Sequence, residues 1–172
     1  MNTQARLYLM LGYPGAGKTT TAEVIHELTG AVHLSSDNLR VEMFDNPVYD
    51  QTEHDALYKA LDEKAETLLS SGKSVIYDAN LNRYQHRQDK YAICERTGAK
   101  PVLVWVQTPK ELAKQRATET NRLHLVPRDE TLVQMFDRIA DLIEQPIATE
   151  PFLTVDGTKV TPEYVANVLG IK

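Results

Sequence analysis

The strongest constraint on the fold is a glycine-rich loop between an apolar strand and a helix. Residues 12–19 read Gly-Tyr-Pro-Gly-Ala-Gly-Lys-Thr and directly follow the apolar run of residues 7–11. Glycine lets the backbone bend with positive φ and brings backbone N–H groups close to an anion. This spacing between a strand and a helix is typical of a phosphate-binding loop. The sequence therefore predicts a site for a nucleotide.

Two side chains at the end of the loop extend this predicted site. Lys18 begins the helix, so its ammonium group and the positive end of the helix dipole would face the same phosphates. Thr19 supplies a hydroxyl group suited to Mg²⁺. ATP and Mg²⁺ are the expected cofactors, and the predicted nucleotide contacts are Gly12, Pro14, Gly15, Ala16, Gly17, Lys18, Thr19 and Thr20.

Short β-rich runs alternate with helical patterns along the chain, which predicts an α/β fold with a mainly parallel sheet and helices on both faces. With 172 residues and no linker rich in Gly, Ser or Pro, a single domain over 1–172 is expected. The predicted strands are 6–11, 31–34, 74–77, 102–106 and 152–155. The predicted helices are 18–28, 52–70, 83–97, 109–120 and 130–144, a helix just after Ser36, and one that begins at Thr161.

Composition narrows the functional classes. The longest apolar runs are too short to cross a bilayer, and no signal-peptide pattern opens the sequence, so a cytoplasmic protein without membrane contact is expected. Cys94 is the one cysteine, which excludes an internal disulfide and a multi-cysteine zinc site. The five histidines lack tight metal-ligand spacing, and His124 falls on the predicted lid described below.

The charge is unevenly distributed. A net charge of −5 argues against broad, sequence-independent binding of nucleic acid. Residues 83–128, however, contain ten Lys or Arg and four Asp or Glu. A local site for an anionic substrate is therefore permitted, although most of these residues fit a solvated helix face.

Two carboxylates follow predicted strands, where open parallel sheets bind ligands. Asp78 lies at the carboxyl end of the third strand and would hold Mg²⁺ through water or orient a substrate hydroxyl, and Asn80 is a further predicted substrate contact. The alternative is that Asp78 and Asn80 only form a turn. Asp37 follows the second strand and either caps the next helix or accepts a proton from an attacking hydroxyl. Arg40, one helical turn later, can face the same cavity and bind a substrate anion.

Arg116 and Arg122 precede the sequence His-Leu-Val-Pro at 124–127, where a helix passes into a loop. Phosphoryl transfer spreads negative charge over the moving group, and guanidinium groups on a mobile lid can neutralise that charge while water is excluded. A small helical lid at about 116–127 is therefore predicted.

These motifs resemble the P-loop kinases grouped with phage-type polynucleotide 5′-kinase and the zeta-toxin-like kinases. The resemblance spans residues 12 to about 135 and is carried by the glycine loop, by Ser-Asp-Asn-Leu-Arg at 36–40, by Tyr-Asp-Ala-Asn-Leu-Asn at 77–82 and by the lid. It implies a three-layer P-loop NTPase fold with strand order 2-3-1-4-5. It also implies the site roles: Asp37 as general base, Arg40 as contact to substrate phosphate, Asp78 as second carboxylate, and Arg122 on the donor phosphates.

The sequence thus predicts a kinase that transfers the γ-phosphoryl group of ATP to a hydroxyl, with two classes of acceptor left open. A polynucleotide 5′-hydroxyl fits the resemblance and the basic residues Arg83, Arg87 and Lys90. A small molecule, such as a sugar, nucleoside or antibiotic, fits the acidic net charge and the lack of an evident aromatic stacking platform. Residues 43–55 are expected to cover the acceptor pocket.

A third hypothesis is an NTP-binding switch that acts on a protein partner. The absence of an Asn-Lys-x-Asp guanine-reading motif counts against a GTPase.

Overall fold

The computed structural model describes residues 4–119 and 129–171. These residues form a five-stranded sheet in the order β2-β3-β1-β4-β5. All four strand pairings are parallel, which confirms the predicted order and makes the sheet wholly rather than mainly parallel. The strands are β1 Arg6–Leu11, β2 Val32–Ser35, β3 Val75–Asp78, β4 Lys100–Gln107 and β5 Phe152–Asp156.

Seven helices lie within the described residues and surround the sheet. They are α1 Lys18–Thr29, α2 Ser36–Met43, α3 Gln51–Ser70, α4 Tyr84–Thr97, α5 Lys110–Glu119, α6 Leu132–Asp141 and α7 Pro162–Leu169. None of the helices described is both long and apolar enough to cross a membrane.

The central strand β1 has its side chains buried on both faces of the sheet. Leu7 and Leu9 pack into one core with α3 and α4. Tyr8 and Met10 pack into the other core with α1 and α7. A strand covered by helices on both faces must be a continuous apolar run rather than an alternating one, which explains the pattern of residues 7–11. The result is the predicted three-layer architecture.

A third, smaller cluster joins α5 to α6 next to the glycine loop. Phe136 of α6 is fully buried there against Ala113 and Ala117 of α5, and Tyr13 of the loop packs on the cluster. The pair α5 and α6 therefore stands over the carboxyl edge of the sheet. Most of the predicted lid at 116–127, including Arg122 and His124, lies outside the described residues.

The helix α6 is shorter than the predicted span 130–144. It begins after Thr131, which forms a capping box with Gln134. It ends at Asp141 because the chain then turns to the loop before α4, where the Glu144 N–H donates to the Asn82 carbonyl and the Glu144 carboxylate accepts the Tyr84 N–H. The other predicted boundaries differ from the observed ones by one or two residues.

Candidate active site

The glycine loop joins β1 to α1 and lies at the carboxyl edge of the sheet. Gly15 and Gly17 have φ values of 75° and 102°, a region that residues with a side chain rarely adopt. A Cβ atom on Gly15 would overlap the carbonyl oxygen of Ala113 and lie 2.9 Å from the amide nitrogen of Ala117, both in α5. The loop therefore needs glycine for its conformation and for its close contact with α5.

The loop is supported from the end of the neighbouring strands. The Thr108 hydroxyl, just after β4, donates to the Ala16 carbonyl at 2.8 Å, and a Cβ atom on Gly157, just after β5, would overlap that same carbonyl oxygen. Ala16 is fully buried, and its N–H donates to the Tyr13 carbonyl. The sequence prediction placed Ala16 at the nucleotide; the structure instead makes it part of the loop's support, since it does not line the cavity.

The two side chains after the loop face the predicted phosphate position. The Lys18 ammonium donates to the carbonyls of Gly12 and Tyr13 at 2.9 and 2.8 Å, which holds it over the loop. The Thr19 hydroxyl donates to Asp78 Oδ2 at 3.0 Å. A hydroxyl that donates its proton in this way keeps its oxygen lone pairs for a cation.

Asp78 ends β3 and is only 7% exposed. It does not form the turn that follows the strand. The side chain of Asn80 does so, because its Oδ1 accepts the N–H of Asn82 at 3.1 Å. Of the two interpretations of Asp78, the structure therefore favours the one that places its carboxylate beside Thr19.

One cavity of about 710 Å³ is lined both by predicted residues of the glycine loop and by predicted residues that follow β2 and β3. This volume lies within the range of pockets that enclose small-molecule ligands. The phosphate loop lies at one end, and the start of α2 with the first turns of α3 lies at the other. The predicted residues that line the cavity are Gly12, Pro14, Gly15, Gly17, Lys18, Thr19, Thr20, Asp37, Arg40, Asp78, Asn80 and Arg116.

Asp37 lies in the first turn of α2, exposed on the wall of the cavity. It is not the helix cap, because the preceding Ser35 takes that role: its hydroxyl accepts the N–H of Asn38. Arg40 lies one turn further along α2 and is 8% exposed. Its Nη1 donates to Glu53 Oε2 at 3.0 Å. The charge that was predicted to bind a substrate anion is therefore already paired with a carboxylate.

Glu53 organises the segment between α2 and α3. Its buried carboxylate accepts the Arg40 guanidinium and the N–H groups of Val48 and Tyr49, both at 2.8 Å. Tyr49 has φ of 60°, and it is the one residue other than glycine with positive φ among those described. Its ring lies 4.6 Å from the Arg40 guanidinium carbon. Residues 44–50, which we call the strap, are therefore held by one buried carboxylate. They lie within the segment 43–55 that was predicted to cover an acceptor pocket.

Three rings line the cavity beside α2 and α3: those of Tyr49, His54 and Tyr58. The His54 and Tyr58 rings lie one helical turn apart on α3, with centroids separated by 4.4 Å. Burial, followed by the Arg40 charge, lowers the pKa of His54, and burial raises the pKa of Tyr58 to about 12. Both rings are therefore uncharged at neutral pH. No such aromatic group was predicted from the sequence, although the i, i+4 spacing of His54 and Tyr58 on α3 indicates that the two rings are neighbours.

The basic residues of α4 do not form a free surface. Arg87 is 0% exposed and makes a two-pronged ion pair with Glu150, with bonds of 2.8 and 2.9 Å. Lys90 is 4% exposed and is paired with Asp62. Of the three residues cited for nucleic-acid binding, only Arg83, which precedes α4, is exposed. The structure therefore corrects that interpretation for Arg87 and Lys90.

Arg116 is the lid arginine that the structure describes. It lines the cavity, and its Nη1 donates to the carbonyl of Gly157 at 3.1 Å. A further arginine, Arg138 of α6, lines the same cavity and is paired with Glu130; the sequence analysis did not single it out. Arg122 remains a prediction from the sequence.

The fold and the glycine loop define a P-loop protein, and the strand order is the one that the sequence resemblance implied. A family model described as "AAA domain" matches residues 7–142, so the chain belongs to this family. Solved structures with the same fold include a candidate kinase from Chloroflexus aurantiacus j-10-fl, 18% identical, with a TM-score of 0.74 over 98% of this chain and 97% of that one.

Two further solved structures with this fold come from proteins with different described roles. A sugar kinase from Janibacter sp. HTCC2649 is 19% identical, with a TM-score of 0.67 over 97% of this chain and 95% of that one. A chain of the Pnkp1/Rnl/Hen1 RNA repair complex is also 19% identical, with a TM-score of 0.65 over 80% of this chain and 44% of that one. At such identities the likeness establishes the fold.

The curated relatives are longer proteins. An uncharacterized protein of Mycobacterium tuberculosis is 35% identical over 94 residues, which are 48% of this chain and 19% of that protein. The chain therefore spans about a fifth of the length of the curated relatives that it matches.

Proposed function

We propose that the protein is an ATP- and Mg²⁺-dependent kinase that transfers the γ-phosphoryl group to a hydroxyl of a small molecule. One observation carries the proposal: a single cavity has the phosphate loop at one end and Asp37 with the strap of Tyr49 at the other. A donor and an acceptor bound side by side in one cavity can be held in line with each other, which is the arrangement that phosphoryl transfer requires.

The nucleotide end has the groups that a triphosphate and its cation need. The loop N–H groups and Lys18 would bind the phosphates. Thr19 and Asp78 offer a hydroxyl and a carboxylate, hard oxygen donors that suit Mg²⁺. Within residues 4–119 and 129–171, no three His, Cys, Asp or Glu side chains could hold a metal alone, so the cation would be shared with nucleotide phosphates. When bound, Mg²⁺ neutralises charge on the transferred group.

The acceptor end has the group that must receive a proton. Asp37 is exposed to the cavity, where it can accept the proton of an attacking hydroxyl. Arg116 would neutralise charge that develops on the phosphoryl oxygens, and Arg122 is proposed for the same role from the sequence. Arg40 and Glu53 together hold the strap beside Asp37, which positions the acceptor.

A small acceptor is favoured over a polynucleotide because basic side chains that could bind nucleic acid are already paired with carboxylates. Binding of nucleic acid depends on Lys and Arg that neutralise phosphates. Arg87 and Lys90 are buried in ion pairs, and Arg40 is neutralised by Glu53. The similarity to a sugar kinase along nearly all of both chains supports the same choice.

A polynucleotide 5′ end is the second candidate, and one specific observation favours it. The rings of Tyr49, His54 and Tyr58 lie beside Arg40 at the acceptor end, and such rings can stack on a base. The two candidates differ in the acceptor, while the donor site and the base are the same.

The test is a labelled-ATP screen of hydroxylated metabolites beside oligonucleotides with a free 5′-hydroxyl. A small molecule should be the best acceptor. With it, Asp37→Asn should lower kcat about 10²–10⁴-fold and leave nucleotide affinity unchanged, whereas Lys18→Ala should weaken nucleotide binding itself. Asp45→Asn is the matched control, because Asp45 is exposed and does not line the cavity.

Three results would contradict the proposal in different ways. Preferential labelling of the oligonucleotide would select the second candidate. Turnover in Asp37→Asn equal to that in Asp45→Asn would remove Asp37 from its role. ATP hydrolysis that is insensitive to the loss of Asp37 and is changed by a protein partner would favour the NTP-binding switch.

A further inference from the structure

His33 contacts the candidate metal site from the neighbouring strand. It lies on β2, where it is paired in register with Ile76 of β3. Its side chain reaches along the sheet to Asp78, and the distance from Nε2 to Asp78 Oδ2 is 2.9 Å. The His33 side chain is 19% exposed. No motif in the sequence singles it out, and the sequence analysis considered the histidines only as metal ligands.

The chemistry of the two groups determines which of them donates the hydrogen bond. An ionised carboxylate can only accept hydrogen bonds, so His33 donates its Nε2–H to Asp78. The Thr19 hydroxyl donates to the same oxygen at 3.0 Å. Two donors from two different elements, β2 and α1, therefore hold Oδ2 in place.

Because both donors bind Oδ2, the other carboxylate oxygen of Asp78, Oδ1, keeps its lone pairs for another partner. Among the described residues, Oδ1 has no hydrogen-bond donor, while Asp78 lines the cavity beside Thr19. An oxygen held in this way can accept a hydrogen bond from water on a cation that also binds Thr19. Groups that orient the partners of a metal commonly change metal affinity 10- to 100-fold when they are removed.

We propose that His33 is a positioning residue for the metal-nucleotide complex: it fixes the Asp78 carboxylate so that Oδ1 faces the cation site next to Thr19. The inference rests on the proposed function, because the cation would bind together with ATP. It adds a residue on β2 to a site otherwise built from the glycine loop and β3. The competing explanation is that His33 only stabilises the edge of the sheet.

The experiment measures metal affinity and needs no acceptor. Mn²⁺ binding to the protein with a non-hydrolysable ATP analogue is followed by electron paramagnetic resonance for wild type, His33→Ala, His33→Phe and His33→Gln. We expect Mn²⁺ affinity to fall about 10- to 100-fold in His33→Ala and His33→Phe. His33→Gln should recover a large part of it, because its amide can donate the same hydrogen bond. Binding of the metal-free analogue should not change.

The matched control is His26→Ala. His26 lies on α1, bonds through Nδ1 to the Ala31 carbonyl at 2.8 Å and does not line the cavity. Its loss should leave Mn²⁺ affinity as in wild type. Thermal unfolding of every variant separates a local effect from a general loss of stability.

Wild-type Mn²⁺ affinity in His33→Ala would overturn the inference. So would an equal loss in His33→Ala, His33→Phe and His33→Gln that follows a fall in the unfolding temperature, since a structural role predicts that result. The proposed function fails separately: tight, His33-dependent Mn²⁺ binding without phosphorylation of any acceptor would refute the kinase and keep the positioning role. A wild-type protein that binds no Mn²⁺ with the analogue would overturn both.

Discussion

The pairing of Arg87 with Glu150 gives the sharpest test of the structural role of the basic stretch. Arg87 donates two bonds to Glu150 and two more to the carbonyls of Leu81 and Asn82. Arg87→Met removes the charge and leaves Glu150, which is 3% exposed, without its cation. Breaking a buried pair on one side costs about 3–5 kcal/mol. For a protein of this size, that corresponds to a fall in Tm of about 6–20 °C.

The assay is urea unfolding followed by circular dichroism, with Arg83→Met as the matched control. Arg83 is exposed just before α4 and has no side-chain capping bond, so its loss should change the free energy of unfolding by less than about 0.5 kcal/mol. Adding Glu150→Gln to Arg87→Met should recover part of the lost stability, because no buried charge then remains unpaired.

Acid should reduce the difference between wild type and Arg87→Met. Burial alone would raise the pKa of Glu150, but hydrogen bonds from Arg87, Tyr91 and the Ile147 N–H together bring it below its usual value. A carboxyl group whose folded pKa is lowered stabilises the protein above its unfolded pKa and loses that effect as the pH falls through the folded pKa. The stability gap should therefore shrink as the pH falls, first as the buried and unpaired Glu150 of Arg87→Met takes up a proton and then as the wild-type Glu150 does so at its lowered pKa.

If the free energy of unfolding of Arg87→Met lies within about 0.5 kcal/mol of wild type, as for an exposed residue, and the variant instead loses phosphorylation of a 5′-hydroxyl oligonucleotide, then Arg87 serves a nucleic-acid surface. A polynucleotide acceptor would then be favoured over a small molecule.

Two further predictions concern backbone conformation. Gly15→Ala should lower the free energy of unfolding by about 2–4 kcal/mol and weaken nucleotide binding, because its Cβ would clash with Ala113. The control is Gly30→Ala, which is also at positive φ but has open space around it, so it should cost only about 1–2 kcal/mol. Equal costs in urea unfolding would contradict the clash. Tyr49→Gly should be more stable than Tyr49→Ala by about 1 kcal/mol, since only glycine adopts φ of 60° without strain. Both Tyr49 variants should raise the KM for the acceptor and leave that for ATP unchanged, and an unchanged acceptor KM would exclude the Tyr49 ring from the pocket.

The sequence predicted the features that are determined locally. The apolar run of β1, the glycine loop and the first helix are contiguous, and each depends on its own residues and immediate neighbours. The parallel strand order was also predicted, because the resemblance to P-loop kinases covers most of the chain. Four strand ends were placed one residue too early, because the last residue of each of these strands is polar. Two of these residues, Ser35 and Asp78, pair with each other in the sheet.

The features that the sequence did not predict depend on distant partners. Arg87 and Glu150 are 63 positions apart, and nothing in a periodic pattern indicates which carboxylate meets which guanidinium. The same holds for Arg40 with Glu53, a pairing that requires α2 to pack on α3. The start of α6, by contrast, could have been found: Thr131 and Gln134 have the spacing of a capping box.

The support beneath the phosphate loop joins residues that are about 140 positions apart in the sequence. Gly157 follows the last strand and presses against Ala16, and its own carbonyl accepts a bond from Arg116. During translation the loop emerges first, and Gly157, which supports it, follows about 140 residues later. A nascent chain would therefore expose the loop long before Gly157 can contact it, so we expect the loop to become rigid only once β5 has paired with β4.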